Sequence, residues 1–152
     1  MTDISLFASL PTSWVGAGTN HENEAFTASL NIESLVDGKA VKIDYVATGV
    51  DGKHRHRETG LLSSDHTGKL CLWPVMEELP FVLPHRATRI HQDGDSWSVT
   101  FSTGDEGKSV SFQEEIVIFK TKDGKLSYEH RWGMPGREFG PKSTSLFSAD
   151  AG

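Results

Sequence analysis

Asp-Gly dipeptides recur at Asp37-Gly38, Asp51-Gly52, Asp93-Gly94 and Asp123-Gly124, each flanked by stretches in which apolar and polar residues alternate. Alternation with a period of two marks a half-buried strand. Asp-Gly suits the two central positions of a type I′ turn, because both need positive φ, which Gly tolerates freely and Asp better than most residues. The chain is thereby constrained to a run of antiparallel hairpins. A two-residue loop also sets register, so each turn states which side chains face one another across it.

Pairing outward from Asp37-Gly38 joins Ala25–Val36 to Lys39–Thr48 and sets Ser34 opposite Val41, Ile32 opposite Ile43, Leu30 opposite Tyr45 and Ala28 opposite Ala47, with Glu33 facing Lys42 on the other side. The first set is an apolar face shared by both strands. Carrying that face through Asp51-Gly52 matches Ala47 with His56, Tyr45 with Glu58, Ile43 with Gly60 and Val41 with Leu62, which leaves Arg55 and Arg57 outside. Ionisable residues thus enter the apolar side. A buried polar group without a partner costs roughly 2–7 kcal/mol, so His56 and Glu58 require hydrogen bonds, water or a ligand.

The same procedure at Asp93-Gly94 places Ile90 opposite Trp97, Thr88 opposite Val99 and Arg86 opposite Phe101, which turns Arg86 inward. At Asp123-Gly124 it pairs Thr121 with Leu126, Phe119 with Tyr128, Val117 with His130 and Glu115 with Trp132. The alternative face, Ile118 with Glu129 and Ile116 with Arg131, is more amphipathic, and a bulge would exchange the two. Trp14–Gly18 reads as a first strand and Leu70–Val75 as another. Leu79–Leu83, interrupted by Pro80, reads as an edge or bulged segment, and a last strand lies near Ser143–Ala149. Asp3 is a candidate N-cap for a short amphipathic helix that Pro11 would end. About nine or ten strands with short turns and almost no helix predict an all-β, up-and-down antiparallel barrel of about ten strands with a short N-terminal helix, in a single domain spanning residues 1–152.

Composition narrows the function classes. The 152 residues carry a formal net charge of −6 with Lys and Arg scattered, which argues against a nucleic-acid partner. A single cysteine, Cys71, leaves no intramolecular disulfide, and the first residues show neither the basic start nor the apolar run of a secretory signal, so a cytoplasmic location is expected. No stretch approaches the roughly 18 apolar residues of a membrane helix, and no membrane partner is expected. The protein is expected to be a monomer or a homodimer.

With these registers one chamber would collect Tyr45, His56, Glu58, Arg86, Glu115, Tyr128, His130 and Trp132 among Phe26, Leu30, Ile32, Val99 and Phe119. A barrel of this size either fills its centre with side chains or holds one small ligand, and the number of inward polar residues favours the ligand. Those eight residues are the candidate ligand-binding set. Arg86 could pair with a ligand carboxylate or form an internal bridge to Glu58 or Glu115. His54 and His56 share a strand face, but a metal site would need a third ligand, so no metal is expected. His56 with Glu58 could also act as an acid–base pair, although no nucleophile accompanies them: Cys71 lies in an apolar strand and reads as an inert thiol. Gly133-Met-Pro-Gly136 lacks a phosphate-loop pattern and reads as a plain loop.

Three short motifs carry a family resemblance. Trp14-x-Gly16-x-Gly18, His56-x-Glu58-x-Gly60-Leu61-Leu62 and Leu126-Ser-Tyr128 resemble those of the nitrobindin-like barrels, which belong with the lipocalin and fatty-acid-binding calycins. The resemblance implies a ten-stranded barrel with a hydrophobic-ligand or heme pocket. The family's Gly-x-Tyr-Pro segment is replaced here by Thr19-Asn20-His21-Glu22, and the last histidine is His130 instead of one close to the C-terminus. The expectation is therefore an intracellular binding protein for a small hydrophobic or amphiphilic molecule with no cofactor. Heme is the alternative that the resemblance implies, and a His/Glu acid–base enzyme is the third reading.

Overall fold

A computed structural model describes residues 3–103, 113–133 and 140–150. Ten strands form a closed antiparallel barrel: β1 (Ser13–Thr19), β2 (Ala25–Leu35), β3 (Ala40–Gly49), β4 (His54–Ser64), β5 (Leu70–Met76), β6 (His85–Asp93), β7 (Ser96–Ser102), β8 (Gln113–Lys120), β9 (Leu126–Gly133) and β10 (Gly140–Ala149). Each strand pairs with its sequence neighbours and β10 returns to β1, which closes the sheet on itself. The outward residues of β2, including Thr27, Ser29, Asn31 and Glu33, are exposed and polar, while Phe26, Leu30 and Ile32 alternate inward. Among the described residues no helix is long and apolar enough to cross a membrane. Met134, Pro135 and Gly136 of the expected loop lie outside the described residues.

The Asp-Gly pairs make three different turns. Asp37 and Gly38 have the expected positive φ, 56° and 80°, but Val36 shares the sign at 49°, so the loop takes in Val36–Lys39, with the Lys39 N–H on the Val36 carbonyl at 3.2 Å. The β2–β3 register follows as read, and Lys42 lies 3.3 Å from Glu33 on the outer face. At Asp51-Gly52 the loop has three residues, closed by the Gly49 N–H on the Lys53 carbonyl with Gly52 at φ 80°. A bulge between Ala47 and Thr48 absorbs the extra residue, so Ala47 still faces His56 and Tyr45 still faces Glu58.

The loop at Asp123-Gly124 is built alike, with the Thr121 N–H on the Lys125 carbonyl and Gly124 at φ 86°, but no bulge follows it. The β8–β9 register therefore differs by one residue from the expected one. Ile118 faces Tyr128, Ile116 faces His130 and Glu114 faces Trp132, which turns Ile116 and Ile118 inward and Val117, Phe119 and Glu115 outward. At the third hairpin the two-residue loop is Gly94-Asp95, with Gly94 at φ 61° as a II′ turn requires, so Ile90 faces Val99 in place of Trp97. A further shift between Ala87 and Arg89 puts Arg86 opposite Ser102.

Two other expectations change. Residues 77–84 form no strand, because Pro80 and Pro84 cannot donate to a ladder; β5 and β6 meet only at Cys71↔Arg86 and Leu72↔His85. The helix α1 is short, Ser5–Ala8, with Ile4 as its N-cap and no side-chain cap, while Asp3 contributes only its carbonyl to the Leu6 N–H. Phe7 of α1 is fully buried, its ring 4.9 Å edge-on from Trp97 and 6.2 Å from Phe101. Among the described residues, the end of the barrel that carries α1 is thus filled.

Candidate functional site

Glu58 of β4 sits inside the barrel with its side chain 1% exposed. The hairpins bring β4 beside β3, but β9 reaches Glu58 only because the barrel is closed. The Tyr128 hydroxyl donates to Glu58 Oε2, while His130 Nε2 lies 2.9 Å and His56 Nε2 3.0 Å from Oε1. The other nitrogen of His56, Nδ1, lies 2.8 Å from Glu78 Oε1 on the segment after β5. Tyr45 stacks on Tyr128 at 5.1 Å, meets His56 and His130 edge-on, and joins its hydroxyl to Ser145 Oγ at 2.8 Å. Each polar atom named here has a partner, as burial demands.

Electrostatics follow from that geometry. Burial alone would raise the Glu58 carboxyl, but His130 and His56 outweigh it and hold it well below the usual carboxylate range. Burial disfavours the charged His56 ring, yet its hydrogen bonds and charge attraction to Glu58 and Glu78 prevail and raise it to about 10. Burial pushes Tyr45 up to about 12, and burial with the adjacent Glu58 charge raises Tyr128 well above its ordinary value too. The arrangement holds a carboxylate and an imidazolium as a fixed pair at neutral pH.

Above this hub lies a cavity of about 380 Å³ at the end of the barrel away from α1. Phe26, Ala47, Met76, Leu79 and Trp132 supply apolar wall, His56, His130 and Tyr45 the floor, and Asn20, His21, Arg55, Glu78, Glu114 and Ser143 the remaining lining. Arg55 is exposed and paired to Asp51 at 2.9 Å, and it also reaches this lining. Trp97 and Phe101 pack against Phe7 at the other end, while Trp132 stands in the cavity wall.

The structure brings together Tyr45, His56, Glu58, Tyr128 and His130, and sets Trp132 on the cavity wall beside His21. It does not bring Arg86 or Glu115 inside. Arg86 is exposed and lies 3.6 Å from Asp65, because the β6 bulge reverses its face. Glu115 lies on the outer face, accepting from Ser102 Oγ at 3.2 Å and flanked by Arg89 and Arg131, because the β8 register is one residue away from that expected. Their inward neighbours take the places instead: His85 is fully buried and bridges Glu114 Oε1 at 2.8 Å with Nε2, while its Nδ1 meets the Leu83 carbonyl at 2.7 Å. Glu78 and Ser145 were not legible either, since residues 77–84 carry no periodicity and β10 is far from β3 in sequence. Cys71 is buried and burial pushes its thiol up, as expected of an inert side chain.

The barrel is shared with a solved protein. Rv2717c from M. tuberculosis superposes with a TM-score of 0.72 at 18% identity, over 97% of this chain and 96% of that one. A de novo designed fluorescence-activating β-barrel aligns over 99% of this chain and 100% of its own with a TM-score of 0.42 and 11% identity. No protein-family model matches the chain, and no curated protein sequence matches it. At these identities the likeness to Rv2717c is one of fold.

Proposed function

We propose that the chain binds one small apolar or amphiphilic molecule in the cavity at the open end of the barrel. The observation that carries this reading is a space of about 380 Å³ with apolar walls over a floor of hydrogen-bonded polar groups. That lies in the range of roughly 300–1,000 Å³ typical of small-molecule sites, and apolar walls with a few placed polar groups are their usual make-up. The resemblance to lipocalin-type and fatty-acid-binding barrels supports the same use of the interior.

The heme alternative has less support in the geometry: a porphyrin leaves its iron only two axial positions, on opposite faces, whereas the ligand atoms of His56, Glu58 and His130 converge within 4.8 Å of one another. The acid–base reading also finds little support, because a general base works best near the operating pH, and the two carboxylates keep His56 protonated well above neutrality.

Native mass spectrometry of freshly purified protein, followed by titration with 1-anilinonaphthalene-8-sulfonate, tests the binding. A co-purified organic mass, or saturable single-site fluorescence lost in Ala47→Trp and in the rim variant Leu79→Trp, is the expected result. A bare polypeptide that gives no saturable binding, or equal binding by both folded variants, would overturn it.

A further inference from the structure

We propose that His56, Glu58 and His130 form a site for one divalent transition-metal ion, zinc by preference, at the floor of the cavity. Their ligand atoms all lie within 4.8 Å of one another. Both imidazole Nε2 atoms converge on the same carboxylate oxygen, at 3.0 and 2.9 Å. Around a four-coordinate zinc with bonds of about 2.0–2.1 Å, neighbouring ligand atoms stand about 3.3 Å apart, so each imidazole Nε2 needs to draw back from Glu58 Oε1 by only a few tenths of an ångström. The ion would then occupy the point where two N–H donors now meet one oxygen.

The donor set selects the ion. Two imidazoles and one carboxylate suit zinc and its first-row neighbours, while calcium and magnesium take oxygen ligands. The surroundings are those of a built site. Glu78 engages His56 Nδ1 at 2.8 Å, which orients the ring and directs Nε2 at the metal position, and the Tyr128 hydroxyl occupies Glu58 Oε2, which leaves Oε1 for the ion. The ligands come from β4 and β9, strands that closure holds across the interior from each other, so the spacing does not depend on a loop. His56 and His130 also line the cavity, which gives the ion a fourth position open to a water or to a donor atom of the bound molecule. His54, expected to share the strand face with His56, instead pairs with Glu77 at the surface and takes no part.

The test uses tag-free full-length protein, stripped with EDTA and titrated with Zn²⁺ by calorimetry at neutral pH, with Co²⁺ as the spectroscopic probe. One ion per chain and the visible absorption of four-coordinate Co²⁺ are expected. His56→Ala should abolish both and His54→Ala should change neither. Glu78→Gln, which touches no metal and alters a half-exposed side chain, should weaken zinc binding by about 10–100-fold while the circular dichroism stays native. A natively folded chain without stoichiometric uptake would overturn the proposal, and so would uptake lost in His54→Ala but kept in His56→Ala. The readout is the metal itself, so the result is independent of whether the cavity takes an organic probe.

Discussion

Glu58 concentrates the interior's polar chemistry in one residue. Three donors converge on a carboxylate that has no water-facing side, so removing its charge strands all three. Glu58→Gln is expected to cost about 3–5 kcal/mol, the range for breaking a buried charge pair from one side, and a urea unfolding midpoint would show it. The pH dependence has two arms. Glu58 is depressed in the folded state, so its contribution is complete above its unfolded value of 4.5 and is lost as pH falls further towards the folded value. His56 is raised, so its contribution is complete below its unfolded value of 6.5 and is lost as pH rises to about 10. Thermal melts of EDTA-treated wild type and His56→Gln should therefore differ by a constant amount between pH 4.5 and 6.5 and converge towards pH 10. A difference that grows with pH would refute that assignment.

At the scale of elements, β1 owes its motif to close approach. A Cβ on Gly16 would lie 2.1 Å from the Leu146 carbonyl oxygen of β10, and one on Gly18 would lie 2.0 Å from that of Thr144. Trp14, on the same face, is buried and donates its indole N–H to the Pro11 carbonyl at 2.7 Å. The alternating glycines let the closing pair β1–β10 come together beneath that anchor. Gly16→Ala is expected to lose about 1–3 kcal/mol or more, because the obstacle is backbone. Gly52→Asn, at a turn where a Cβ meets nothing within 4 Å and Asn accepts the left-handed conformation, should lose less than about 1 kcal/mol. Denaturation of the two variants side by side separates a packing role for Gly16 from a general cost of replacing glycine.

Among the described residues the barrel divides into a filled end and one that keeps a cavity. Phe7 closes the first against Trp97 and Phe101, and the second keeps the cavity over Glu58. Phe7→Ala is expected to cost about 3–5 kcal/mol as a large-to-small change at a fully buried site. At a temperature where the variant is still folded, its affinity for the fluorescent probe should match the wild type, because the cavity lies at the other end. Loss of probe binding in the folded variant would show the two ends to be coupled.

Hairpin patterning and turn chemistry determined the barrel class, the β2–β3–β4 registers, and with them the placing of Tyr45, His56 and Glu58 on one inner face. Those pairings depend on contacts close in sequence. The same dipeptide did not settle its loop, since Asp-Gly sits in a run of three left-handed residues at Val36–Gly38, closes a three-residue loop at Asp51 and Asp123, and supplies only its glycine at Gly94. One residue more or less in a loop reverses a strand's faces unless a bulge restores them, which turns Glu115 out and Glu114 in, and the bulge within β6 does the same to Arg86 and His85. That Glu58 and His130 share one chamber was legible in the pattern, but their direct contact was decided by tertiary structure, because they stand 72 residues apart and only closure of the sheet makes them neighbours.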